Sequence, residues 1–251
     1  MAAPLLVVTL LAGAVLAAQA PRPLPDYDAF VAATRDNLSR SQREQSRFAY
    51  KERRTEFRRN PFGRIGSGVV EGFDVTPVDN GAAIVRRLIE RDGKPVINGE
   101  VERIDRSQRR TRSTRKSGME DVVGVLTFAF SHRETTQGRD VIVVHFTPRE
   151  NASPETREGR MARVFKGSIW VDEAAREVIR VEATAIDEMS FGLGFLARLN
   201  QGTTVTLTRE AIDGATWLPT SIRFAGQGRA LLFRKLVVDQ RIDWFDYRRV
   251  N

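Results

Sequence analysis

The chain has 251 residues, 41% of them hydrophobic and 29% charged, with 40 Lys and Arg against 32 Asp and Glu and no cysteine. This is the composition of a folded globular protein; it excludes disulfides, thiolate metal sites, thiol catalysis and wholesale disorder. The formal net charge of +8 and a pI near 10.5 point to an anionic neighbour, such as a membrane surface, lipopolysaccharide or an acidic partner.

Residues 1–20, MAAPLLVVTLLAGAVLAAQA, carry no charged side chain, run apolar from Leu5 to Ala18 and end on Ala18-Gln19-Ala20. An apolar core of roughly 7–15 residues followed by a small-x-small site is the layout of a secretory signal. Pro21 disfavours a cut after Ala20 and leaves Ala18 as a second site. The other reading is an uncleaved membrane anchor of the ~20 residues that span a bilayer, but Ala and Gly make the stretch weakly hydrophobic for that role. The expectation is therefore a cleaved signal peptide over 1–20, a periplasmic or secreted protein, and a single domain over 21–251. No Cys follows the apolar core, so the protein is not expected to be a lipoprotein. Export also argues against nucleic acid, the usual partner of such charge.

After the proline-rich 21–25, Asp26 or Asp28 can cap a helix. Phe30, Thr34 and Leu38 then form one narrow apolar stripe through Ser46. From Arg47 the period changes. RFAYKERRTEFRR alternates loosely and reads as a strand, as does 66–78. Asp92-Gly93 inside AIVRRLIERDGKPV is a strong turn signal. The basic insertion 98–118, NGEVERIDRSQRRTRSTRKSG, carries a weak helical stripe through Val101 and Ile104; it reads as a solvated helix or a linker. Beyond it come VLTFAFSHRETT and RDVIVVHFTP around Gln137-Gly138, then VFKGSIWVD and EVIRVEATAI. TTVTLTREAI and ATWLPTSIRFAG follow around Asp213-Gly214, and RALLFRKLVVDQRIDWFDY closes the chain. Pro219 marks an edge or a bulge. The fold expected is mainly β with some α: a curled antiparallel sheet of about ten strands, an incomplete β-barrel, with a few covering helices.

No enzyme motif withstands inspection. His132 and His145 are the two histidines, without a carboxylate at ligand spacing. No G-x-S-x-G elbow occurs. Ser113-Thr114-Arg115-Lys116 matches S-x-x-K without companion motifs, and Gly192 to Ala197 matches G-x-G-x-x-A without a βαβ unit. The expectation is no enzyme, no metal and no cofactor.

Two features carry function instead. SFGLGFLARL (190–199) crowds Phe191, Leu193, Phe195 and Leu196 into a connection, where polar residues are usual. It reads as a plug of the core, a flap over an apolar cavity or a membrane-touching tip. The second feature is charge: Lys51, Arg53, Arg54, Arg58, Arg59 and Arg64 form one basic cluster. Arg103, Arg106, Arg109, Arg110, Arg112, Arg115 and Lys116 form another. Each is either a solvated surface or a site for anionic head groups, worth about 1 kcal/mol per basic residue near a membrane.

GSIWVDEAAREVIRVEATAI resembles the central hairpin of the LolA/LolB-like superfamily of exported half-barrel proteins, with a strand ending in Trp170-x-Asp172, a short turn and a basic, apolar return strand. DGATWLPTSIRFAG resembles the Trp-Leu-Pro hairpin of the same proteins. The resemblance implies an incomplete barrel whose helices cover its apolar inner side, and a carrier or sensor holding an acyl chain, lipid or lipoprotein there. Trp170, Phe191, Leu193, Phe195 and Leu196 are the ligand-binding candidates. The chain departs from the LolB pattern in lacking a lipid-bearing Cys and from LolA in the 98–118 insertion. A different class of function stays open: an envelope interaction module without ligand that recruits a protein partner.

Overall fold

The structure, a computed structural model, describes residues 22–59, 65–105, 118–191, 197–230 and 234–250. The expected signal peptide lies outside these residues. Helix α1 (Tyr27–Glu44) starts at the expected cap, where the Asp26 carboxylate accepts the Ala29 N–H at 2.9 Å. A short 3-10 turn leads into β1 (Phe48–Arg59), β2 (Ile65–Val78), β3 (Ala83–Arg91), β4 (Lys94–Pro95) and β5 (Val101–Asp105). Helix α2 (Gly118–Val125), β6 (Leu126–Thr136), β7 (Arg139–Pro148) and helix α3 (Arg157–Ala162) follow. The remainder is β8 (Phe165–Asp172), β9 (Glu177–Ala185), β10 (Met189–Phe191), β11 (Ala197–Leu199), β12 (Thr204–Ala211), β13 (Trp217–Ala230) and β14 (Arg234–Arg249).

These strands form one sheet of fourteen, with the main order β4-β3-β2-β1-β14-β13-β12-β9-β8-β7-β6. Every pairing is antiparallel, and β14 against β1 joins the two ends of the chain. The outer strands of this order, β4 and β6, do not pair with each other, so the sheet is open, as expected of an incomplete barrel. The turn signals act as their chemistry requires. Asp92 and Gly93, like Gln137 and Gly138, have positive φ at both positions, the geometry that matches hairpin twist.

Two local expectations are corrected. The start of the basic insertion is a strand: β5 pairs with β3, Ile84 opposite Ile104, because Val101 and Ile104 complete a sheet edge. Residues 106–117 lie outside the described residues. Helices α2 and α3 lie on either side of the β6–β7 hairpin in the chain. Asp121, 1% exposed, holds them together by accepting the N–H groups of Glu155 and Thr156 and the Thr156 hydroxyl at 2.7–2.9 Å. Any Cβ at Gly159 would fall 2.1 Å from that carboxylate. The last segment is not one strand, since β13 runs on to Ala230 and pairs back with Arg234 of β14. Pro219 marks a bulge, the second of its two expected settings: it sits in an interior strand, where the register shift opposite Thr208 and Arg209 accommodates its missing N–H.

Candidate functional site

Cross-strand partners share a face of a sheet, so the registers trace rows across the molecule. One row is Phe130–Val144–Ile169–Val181–Leu207–Ile222–Ile242–Arg54–Glu71. Beside it runs Phe128–Phe146–Gly167–Ala183–Val205–Phe224–Gln240–Glu56. Both rows are apolar across β6 to β13 and become polar at β14 or β1. The residues between them along each strand point the other way and are mostly polar: Thr204, Thr206, Ser221, Arg223, Arg241 and Asp243. Period-two patterning has thus built one continuous apolar face seven strands wide.

The helices lie on this face, but unevenly. Phe30 of α1 packs with buried Ile142, Val144, Val171 and Val178, and its ring meets Phe130 edge to face at 5.4 Å. Val122 of α2 and Ala162 of α3 pack against Phe146, Phe165, Ile169 and Val181. Over β12, β13 and β14 the cover thins. Val205, Leu207, Ile222, Phe224 and Ile242 belong to none of the buried clusters and all stay half-buried.

Charged groups wall this strip on two sides. At one end, the tail of α1 is pinned by a buried network. Arg209 and Glu177 form an ion pair at 3.2 Å with side chains only 5% and 6% exposed. Ser41 of α1 donates to Glu177, and Arg209 donates to the Val178 and Trp217 carbonyls. Burial pushes the Arg209 guanidinium below its usual range, against the pull of Glu177. Tyr247 donates to the Pro219 carbonyl at 2.6 Å, and burial drives its phenol far above the usual value.

On the β1 side stands a second cluster. Glu52, 6% exposed, accepts Arg54 Nε at 2.6 Å and the Trp244 indole N–H at 3.0 Å, with Arg86 at 3.5 Å. Both guanidiniums lie over the Phe73 ring, Arg54 at 5.2 Å and Arg86 at 5.0 Å. Arg86 is spent on Glu52 and Glu102. Burial raises the Glu52 carboxyl above its ordinary range despite the lowering effects of Trp244 and Arg86.

The residues singled out from sequence fare differently. The structure places Trp170 on the opposite face. It pairs with Val143 and Arg180, donates its N–H to Glu134 at 2.8 Å and carries the Arg180 guanidinium at 5.1 Å, so it does not line the apolar strip. Phe191 lies in β10, which pairs with β11, and β11 in turn continues along β13 beyond β12. Leu193, Phe195 and Leu196 lie outside the described residues. The first basic cluster is not one patch, because the strand period splits it. Arg54 turns inward, while Lys51 pairs with Asp246 and Arg53 lies over Phe245. Arg58 is exposed near Glu56, and Arg64 lies outside the described residues. Of the second cluster, Arg103 is on β5, held by Asp79 and Asp105. Arg106, Arg109, Arg110, Arg112, Arg115 and Lys116 lie outside the described residues. His145 is exposed and bonds Ser168; His132 bonds Glu134. Among the described residues no group of His, Asp and Glu could hold a metal ion.

Glu52, Arg86 and Trp244 escaped sequence reading. Alternation in Lys51-Glu52-Arg53-Arg54 was the available signal, since it puts Glu52 and Arg54 on one face. The partner strands that complete the cluster are far away in sequence.

No protein-family model matches the chain, and no curated protein matches it. Solved structures do. A DUF1329 family protein from Desulfovibrio piger ATCC 29098 is 16% identical, with 87% of this chain and 92% of that chain covered at a TM-score of 0.34. A putative outer membrane lipoprotein-sorting protein domain from Vibrio parahaemolyticus is 13% identical, with 86% and 93% covered at 0.36. A LolA superfamily protein from Nitrosomonas europaea is 14% identical, with 86% and 93% covered at 0.34. The superfamily that the Trp170 and Trp217 hairpins resemble is thus among the structures to which this chain is similar. At these identities and TM-scores the likeness carries no weight for the site, which rests on its own residues.

Proposed function

We propose that this chain is an exported, non-enzymatic carrier or sensor that holds an acyl chain or a similar apolar ligand on the helix-bearing face of its open sheet. The observation that supports this most is the strip of Val205, Leu207, Ile222, Phe224 and Ile242. It continues a row whose members over β6 to β9, Phe130, Val144, Ile169 and Val181, pack in the buried clusters under the helices, whereas the strip itself joins none of these clusters among the described residues. Each CH₂ of a ligand buried there contributes about 0.8 kcal/mol, so a chain of ordinary length has ample driving force. Strands β10 and β11 extend the sheet along β13 past β12.

The test is uptake of a fluorescent fatty acid by the purified chain and by the Leu207→Ser, Ile222→Ser double variant. Saturable uptake by the wild type, weakened at least ten-fold in the double variant, is expected. No uptake by the wild type overturns the reading. Recruitment of an envelope protein is the second reading, and one feature favours it. Among the described residues strand β6 pairs only with β7, an edge of the kind that takes strand addition. Crosslinking in the native envelope that recovers one stoichiometric protein and no lipid would favour this second reading.

A further inference from the structure

Resting on that reading, we infer that the ligand ends in a carboxylate and that Arg54 receives it: the strip takes a free fatty acid with its head against β1. Arg54 ends the apolar row, directly opposite Ile242, with its side chain 29% exposed. Its Nε is committed to Glu52, and among the described residues neither terminal nitrogen of the guanidinium has a hydrogen-bond partner. The other charges on this side are engaged. Arg86 is held by Glu52 and Glu102, and Glu71, across from Arg54, by Arg91 at 2.8 Å. The guanidinium lies over the Phe73 ring at 5.2 Å, and its two terminal nitrogens form a fork matched to the two oxygens of a carboxylate.

Charge selects the head group. Glu52, Glu71 and Glu56 all lie on this face near Arg54. Their repulsion grows with the charge of the ligand, so they oppose a doubly charged phosphate more than a singly charged carboxylate. The distance also fits. From Arg54 to Leu207 is three strand spacings, about 14 Å, all of it apolar.

The experiment measures the affinities of the purified chain for dodecanoate, dodecanol and dodecyl phosphate, and takes their ratios. The wild type is expected to bind dodecanoate about ten-fold more tightly than dodecanol and more tightly than dodecyl phosphate. In Arg54→Gln the ratio of acid to alcohol should fall to about one, whereas Arg54→Lys should keep it above one. Equal affinities in the wild type, a preference that survives Arg54→Gln, or tighter binding of dodecyl phosphate overturns the inference and leaves the apolar strip standing. Binding of none of the three overturns the strip as a ligand site, and the head-group assignment with it.

Discussion

The two ends of one apolar face behave differently. Over β6 to β9, Val144, Ile142 and Val171 are sealed beneath Phe30 and are at most 5% exposed. Over β12 to β14, Leu207, Ile222 and Ile242 have the same chemistry, register and face, yet are only half-covered. The difference comes from the helices and not from the strands. The side chains of α1, α2 and α3 that join the buried clusters lie over β6 to β9. The closed half holds the fold together, whereas the thinly covered half is where the proposed ligand would lie.

This comparison can be broken in several places. The largest effect is expected at the pin of α1. Glu177→Gln leaves Arg209 buried without its counter-charge, a change that costs about 3–5 kcal/mol, read from denaturant unfolding. Slightly less is expected in the closed half, where Ile142→Ala empties a fully buried site and should cost about 2–5 kcal/mol. Loss of much less than 1 kcal/mol there would show that the helices do not seal this half. Leu207→Ser should destabilise less than Ile142→Ala, because its side chain is only half-buried.

Glu52 tests the border between the apolar strip and its charged wall. Its folded-state value lies above the ordinary 4.5, chiefly through burial, so the folded chain binds this proton more tightly than the unfolded one. The wild type should therefore gain stability relative to Glu52→Gln as pH falls through the raised value, and the gain should be complete below 4.5. Thermal melts of the pair across this window measure it, and a difference that shrinks on acidification would contradict the burial of this carboxyl. The smallest effect is expected on the other face. Trp170→Phe removes one hydrogen bond to a half-exposed Glu134, worth about 1 kcal/mol or less, and should leave fatty-acid uptake unchanged.

Most of the strand pattern is legible in the sequence, because each strand carries its own alternation and its own turn. Asp92-Gly93 and Gln137-Gly138 state their hairpins in two residues. The helix α1 declares itself through Asp26 and Phe30. What is not legible is what depends on distant segments. Val122 and Val123 read as β-formers, and only the bonds of Asp121 to Glu155 and Thr156 hold that stretch in α2. Trp170 looks like a ligand residue from its neighbours, yet its face is decided by the register with Val143. Glu52 meets Trp244 across 192 positions of chain, through the β1–β14 pairing, which no local pattern announces. The half-covered strip is the extreme case, since its five residues meet on one face only through the registers of β12, β13 and β14.

The most direct test of that strip is photolabelling with a fatty acid that carries a diazirine on its chain, followed by residue-level mapping of the adducts. The account predicts labels on the inward residues Val205, Leu207, Ile222, Phe224 and Ile242, competed away by unlabelled fatty acid. Labels on Trp170 or on the outward residues Thr204, Thr206 and Arg223, or adducts that no competitor reduces, would contradict it.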